Sequence, residues 1–287
     1  MFSNKYIEVC AYCNFGFLDE YIDQQRLNAF YSKEYRGKGN VHRKKLLSLP
    51  SIPNRAISQW MLINLFHPLE KVNNVLDVGA GYGYTFDVAK YIINPDTITT
   101  FYSFEPDKHA QKYLLKKNIN IYDEVFTKDT NINEKFDIII MSHVLEHYNG
   151  YDIISVLKKI NSVLNYGGIA LIEVPHNNLE KIKTLRRNDA PHLSFFSVEA
   201  LTSALEYSGL HMLYINTCGE LTKKYYVKKD YSSNLISKIL KKIKRYYFFI
   251  RKFVNFDILN ILSYNQYFKY GEDRIWIRAI VTKLERI

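Results

Sequence analysis

Ten residues constrain the fold more than any others: Val75-Leu76-Asp77-Val78-Gly79-Ala80-Gly81-Tyr82-Gly83-Tyr84. An apolar run that reaches an Asp and then releases into glycines at alternate positions reads as a buried parallel strand ending in a backbone-exposing turn before a helix. Glycine allows positive φ and lets a ligand approach without meeting a Cβ, while the N–H groups opening the next helix make that end electropositive. A dinucleotide fingerprint reads G-x-G-x-x-G. Here the sixth position is Tyr84 and the third glycine comes one residue early, at Gly83, which weakens a pyrophosphate reading. A dehydrogenase loop or a merely tight structural turn stays open on these residues alone.

The flanking sequence alternates between strand and helix patterns. Ile57, Trp60, Met61 and Leu65 predict one helical face between Arg55 and Phe66, and Phe86, Ala89 and Ile93, widened by Val88 and Ile92, predict the helix after the glycines. Ile98–Phe104 reads as a second strand ending in Glu105-Pro106-Asp107. An acid at that strand end is placed to accept both hydroxyls of a ribose, while Asp107 caps the next helix. A third strand is expected over Ile119–Phe126, and a fourth over Phe136–Met141, ending in Ser142-His143-Val144-Leu145-Glu146-His147. Apolar spacing from Ile153 to Leu164 gives a helix leading to Asn165-Tyr166-Gly167-Gly168, read as a C-capping turn, and Ile169–Glu173 gives a fifth strand before Val174-Pro175-His176. A helix from Val198 to Ser208 stopped by Gly209, a sixth strand over His211–Cys218 and a seventh over Arg274–Val281 complete the pattern.

The Asp two residues before G-x-G-x-G resembles the first motif of class I S-adenosylmethionine-dependent methyltransferases. The block from Phe136 to His147 resembles that family more specifically, as does the Gly167-Gly168 strand entry leading to Pro175. The resemblance covers about Asn73 to Ser208 and, more loosely, Cys10 to Tyr35. It implies an α/β, Rossmann-like sheet of seven strands in the order 3-2-1-4-5-7-6, mostly parallel with an antiparallel last strand. It implies S-adenosylmethionine as cofactor, with contacts from Asp77, Gly79, Gly81, Tyr82, Gly83, Glu105, Pro106, Ser142 and His143. In the family the glycine turn faces the methionine and ribose, the Asp helps anchor the cofactor, and the acid ending the second strand takes the ribose hydroxyls. Members that methylate bases or amides usually carry Asn/Asp-Pro-Pro-aromatic where this chain has Ser142–His147, so the block points away from that chemistry.

Methyl transfer is an in-line displacement, so a protein contributes alignment and removal of the acceptor's proton. His192 leads as the base, because it lies in the loop after strand five, where substrate-facing residues of such folds tend to sit. His147 and His176 are the other candidates. Tyr31, Tyr35 and Tyr82 offer faces for a sulfonium cation, or are ordinary packing residues.

Charge divides the chain. From Leu221 to Ile287 there are 16 Lys/Arg and 5 Asp/Glu, leaving 23 and 24 for the rest, so the net +10 lies in the C-terminal quarter. A basic insertion at about 219–273 contains an amphipathic helical pattern over Leu235–Val254, suited to packing on the protein, to an acidic partner or to peripheral contact with an anionic membrane. Residues 1–54 read as an N-terminal hairpin and helical cap and 55–287 as the methyltransferase domain. Cys10 and Cys13 form a C-x-x-C that resembles the zinc ribbon of some bacterial methyltransferases, but no second pair exists. A relict hairpin without metal is therefore expected, with His42 able to complete only a three-ligand site. Three cysteines and no signal-like apolar start give a cytoplasmic expectation, and nothing sets an oligomeric state. Three functions follow. The first is O-methylation of a small polar acceptor, with the ribbon-like start resembling enzymes of sugar, capsule or lipopolysaccharide decoration. The second is methylation of nucleic acid clamped by the basic region, and the third is cofactor binding without transfer.

Overall fold

The computed structural model describes residues 6–31, 54–93, 97–183, 192–221, 271 and 273–284. The expected sheet forms. In chain order its strands are β3 (Asn74–Val78), β4 (Thr100–Phe104), β5 (Asn120–Tyr122), β6 (Phe136–Ser142), β7 (Leu164–Pro175), β9 (His211–Leu221) and β10 (Arg274–Thr282). They lie in the order β5-β4-β3-β6-β7-β10-β9, the predicted 3-2-1-4-5-7-6. β3 through β7 pair in parallel, whereas β10 runs antiparallel to both β7 and β9.

Strand residues alternate between two apolar layers, as the pleat requires. Leu76, Val78, Ile139, Met141, Ala170 and Ile172 face one layer, closed by α5 (Ile153–Val163) and α6 (Val198–Tyr207). Val75, Ile138, Ile140, Ile169, Leu171 and Ile280 face the other, closed by α2 (Asn54–Phe66) and α3 (Tyr84–Ile92). With both faces covered, the central strands read as the near-continuous apolar runs seen in the sequence. Asp107 accepts from His109 N at 2.7 Å and caps α4 (Lys108–Leu115), as expected.

Three expectations are corrected. Leu65 is 76 % exposed, because the buried stripe of α2 runs through Ala56, Gln59, Trp60 and Ile63. Apolar periodicity misplaced the stripe, since Ser58 and Gln59 are buried polar residues with partners in the sheet. Asn165–Gly168 does not cap a helix: α5 ends at Val163 and the four residues form an irregularity inside β7, where pairing passes from Phe136–Leu164 to Ile138–Ile169. Gly168 is needed there, as a Cβ would lie 2.9 Å from the Asp137 carbonyl oxygen. The third strand is only three residues long.

The N-terminal residues add a second sheet. β1 (Ile7–Val9) and β2 (Gly16–Leu18) form a hairpin, and β2 pairs with β8 (Ser194–Phe195), the segment just after His192. After α1 (Gln24–Ala29) the described chain reaches Tyr31. Asn149 fastens this region to the body by exchanging bonds with Ile22: Ile22 N donates to its Oδ1 and its Nδ2 donates to Ile22 O, both at 2.9 Å. Tyr35, His42 and the insertion helix over Leu235–Val254 lie outside the described residues.

Candidate active site

Parallel order brings the carboxyl ends of β3, β4 and β6 to one edge of the sheet, where ligands of such folds bind. A cleft opens there, with a cavity volume of about 110 Å³. Five of the sequence candidates line it: Gly79, Glu105, Pro106, His143 and His147. Tyr31 closes the far wall and meets His147 edge-on, with ring centres 5.6 Å apart.

Gly79 takes φ +75°, and a Cβ on it would stand 2.5 Å from Val144 Cγ2, so only glycine holds the turn this tightly against the strand β6 exit. Bare main chain therefore forms part of the cleft wall. Beside it Glu105, 4 % exposed, accepts from Gly81 N at 2.7 Å and from Asp107 N at 2.9 Å, which locks the glycine turn to the end of β4. Asp77 is buried under the turn and accepts from the Thr85 hydroxyl. Burial pushes its carboxyl up to about 7, against that bond and with help from the neighbouring Glu105 charge. Tyr82 turns away to pack edge-on with Tyr113, at 5.2 Å between ring centres.

On the β6 side, His143 has φ +57°, an uncommon backbone state for a residue with a Cβ, held by its N–H bond to Glu173 O at 2.8 Å. Its ring lies between two buried acids, with Nδ1 3.3 Å from Glu146 Oε1 and Nε2 3.4 Å from Glu173 Oε1. Burial alone would discharge it, but the two carboxylates hold it above its ordinary value. Glu173 is the centre of a buried network that sequence reasoning missed. Arg278 Nε donates to its Oε2 at 2.6 Å, while Ser142 Oγ and Gln59 Nε2 donate to its Oε1 at 2.9 and 3.0 Å. Burial opposes its charge, yet Arg278 and its neighbours keep it far below the usual carboxylate range. Ser142 is thus spent on this network. The sequence signal was the two arginines, Arg274 and Arg278, in the otherwise apolar strand seven, of which Arg278 lies directly across from Glu173 in the β7–β10 register.

Glu146, inside the block after β6, carries no role that the sequence alone assigns. It is 1 % exposed, and among the described residues neither carboxylate oxygen accepts a well-aligned hydrogen bond. His147 Nε2 and His192 Nε2 each lie 3.9 Å from its Oε1, and the two rings stand 5.0 Å apart. The loop bearing His192 is placed by two bonds to the Glu146 segment, Leu193 N to Glu146 O and Ser194 Oγ to Tyr148 O, each 2.8 Å. The structure therefore brings His147 and His192 together and leaves His176 apart. His176 Nδ1 lies 2.9 Å from Arg274 O and 3.4 Å from Asp273, off the cleft. Cys10 and Cys13 occupy the β1–β2 turn, and among the described residues neither joins a metal-ligating cluster.

A seven-stranded sheet with an antiparallel last strand, a glycine turn under a cleft and an acid ending the second strand define the class I S-adenosylmethionine-dependent methyltransferases. The bare Gly79 main chain and the adjoining Glu105 carboxylate fit the ribose and amino-acid parts of that cofactor. Comparison agrees: residues 54–215, more than half the chain, match the family described as methyltransferase domain. The chain belongs to that family and is an S-adenosylmethionine-dependent methyltransferase. Among solved structures it is similar to a provisionally named sarcosine dimethylglycine methyltransferase of Galdieria sulphuraria, at TM-score 0.53 and 14% identity over 81% of this chain and 86% of that one. It is also similar to a SAM-dependent methyltransferase of Archaeoglobus fulgidus, at TM-score 0.51 and 17% identity over 91% and 100%. At such identities the likeness is one of fold. No curated protein sequence matches the chain.

Proposed function

We propose that this enzyme methylates an oxygen of a small polar acceptor, a sugar or nucleotide-sugar of surface polysaccharide synthesis being the class its sequence resemblance implies. Asp77, Gly79, Gly81, Gly83 and Glu105 hold the cofactor, with Pro106 and His143 beside them, while Tyr82 and Ser142, sequence candidates for the same role, are engaged with Tyr113 and Glu173 instead. Bound there, S-adenosylmethionine supplies a methyl group on a sulfonium. The observation that carries the reading is the Glu146–His147–His192 group beside the cleft: an alcohol is a poor nucleophile until its proton leaves, and this is the cluster able to act on that proton. The missing Pro-Pro-aromatic block after β6 argues against a base or amide acceptor, and nucleic acid has no part in this reading. The cytoplasmic setting, the relict ribbon at 1–54 and peripheral membrane contact through the basic insertion belong to the same proposal. Among the described residues no helix is long and apolar enough to cross a membrane.

The test is His192→Ala, assayed with labelled cofactor across sugar and nucleotide-sugar pools. Turnover should fall about 10²- to 10⁴-fold while cofactor affinity, measured by calorimetry, barely changes. Full turnover in both His192→Ala and His147→Ala would withdraw the role of the cluster. Labelling of RNA in place of every small acceptor would overturn the acceptor class.

A further inference from the structure

Glu146 poses a problem that the cofactor site does not solve. A carboxylate taken out of water needs partners, and a buried polar group without them calls for a physical explanation, an ion among the first. Among the described residues its carboxylate oxygens accept no well-aligned hydrogen bond, and the imidazole nearest to them, His143 Nδ1 at 3.3 Å, meets Oε1 as an ion-pair contact. What does surround it is a set of metal-ligating atoms. One atom each from Glu146, His147 and His192 lie mutually within 4.8 Å, and both imidazole Nε2 atoms are 3.9 Å from Oε1.

We infer that Glu146, His147 and His192 form a binding site for one divalent transition-metal cation, with open coordination positions toward the cofactor cleft. This rests on the methyl-transfer reading for its purpose but not for its geometry. Ligands about 2.1 Å from a tetrahedral ion stand roughly 3.4 Å apart, so closure by about half an ångström at the carboxylate and by no more than about 1.4 Å between the imidazoles completes the set. Two nitrogens and one carboxylate select a borderline first-row ion such as Mn²⁺, Co²⁺ or Zn²⁺ over Mg²⁺, which prefers oxygen. Three protein ligands leave room for exogenous oxygen, as in catalytic rather than structural sites.

The set is also preorganised. Glu146 and His147 share one turn of 3₁₀ helix, and the bonds from Leu193 and Ser194 fix the approach of His192 from 46 residues away. His143 and Tyr31 flank Glu146 and His147, in the manner of outer groups that orient metal ligands. His147 lines the cleft, so an acceptor hydroxyl reaching the cofactor passes the open side of the ion. Coordination would lower the pKa of that hydroxyl, its proton leaving to water, and would fix the oxygen in place. The histidine pair thus acts on the proton by holding the ion.

The experiment uses the full chain without an affinity tag, stripped with chelator and titrated calorimetrically with MnCl₂, CoCl₂ or ZnCl₂ alone. One ion per chain is expected, with affinity falling about a hundredfold or more in the near-isosteric Glu146→Gln. His192→Gln, at a half-buried position, should show the same loss and guards against a folding defect in the first variant. A Cys10→Ser/Cys13→Ser variant should keep the ion, and the Co²⁺ spectrum should lack a thiolate charge-transfer band. The site is overturned if none of the three ions binds the folded chain, or if binding survives Glu146→Gln and vanishes with the cysteines. Cofactor titration of the same preparation separates the two claims. Cofactor binding without any ion sinks the metal site alone, whereas an ion bound with no methyl transfer to any small acceptor sinks the proposed function alone.

Discussion

At the scale of single residues the cofactor edge holds a buried carboxyl whose charged form is unfavourable. A carboxyl that titrates near 7 in the folded protein and near 4 when unfolded binds its proton more tightly when folded. Asp77 therefore costs nothing below about pH 4 and progressively destabilises the fold as pH rises from about 4 to about 7, by an amount on the order of a few kcal/mol. Asp77→Asn keeps an oxygen for the Thr85 hydroxyl and removes the charge. Without cofactor, its melting temperature should exceed that of the parent at pH 8 and match it near pH 4, while cofactor affinity falls about tenfold. Thermal melts at the two pH values decide it, and a variant less stable at pH 8 would refute the burial argument. The sequence marked Asp77 by its place before the glycines. It had no means of marking Glu146, whose significance is that three imidazoles from two segments converge on it.

At the scale of elements, β10 is anchored through charge as well as apolar packing. Arg278 is fully buried, faces Glu173 across the β7–β10 ladder, and reaches Ser58 of α2 with Nη1 at 3.2 Å, so one side chain ties two strands to a helix. Removing one partner of a buried pair leaves an uncompensated charge, which costs about 3–5 kcal/mol. Arg278→Met should lower the stability measured by urea unfolding by about that amount, whereas a loss below about 1 kcal/mol would show that Gln59 and Ser142 suffice for Glu173. This network explains why the α2 stripe was misread. Apolar periodicity counts Ser58 and Gln59 as surface residues, but their partners lie over a hundred positions away and turn the helix inward along a different line. The bulge at Asn165–Gly168 has a similar origin, since Gly-Gly after a helix is locally a cap and becomes a strand irregularity only when β6 is alongside.

At the scale of the whole molecule, the near-neutral body carries the cofactor motifs and the excess positive charge lies beyond Leu221. Deleting Tyr231 to Phe256 should therefore change acceptor use or membrane association far more than cofactor affinity. Flotation with anionic liposomes at low salt checks the membrane branch, and an intact chain that stays with the soluble fraction removes it. The strand identities and the glycine turn were legible in the sequence because each rests on local pattern: apolar runs of strand length, helical spacing between them, and residues whose backbone preferences act where they stand; the sheet order came only through the family resemblance that those motifs carry. The meeting of His147 with His192, the separate placing of His176 and the burial of Glu146 were decided only by tertiary structure. So were the union of the N-terminal hairpin with β8 and the pairing of Glu173 with Arg278. Each depends on which distant segments share one volume from which water is excluded, and a buried charge reveals its partner only once the chain has closed around both.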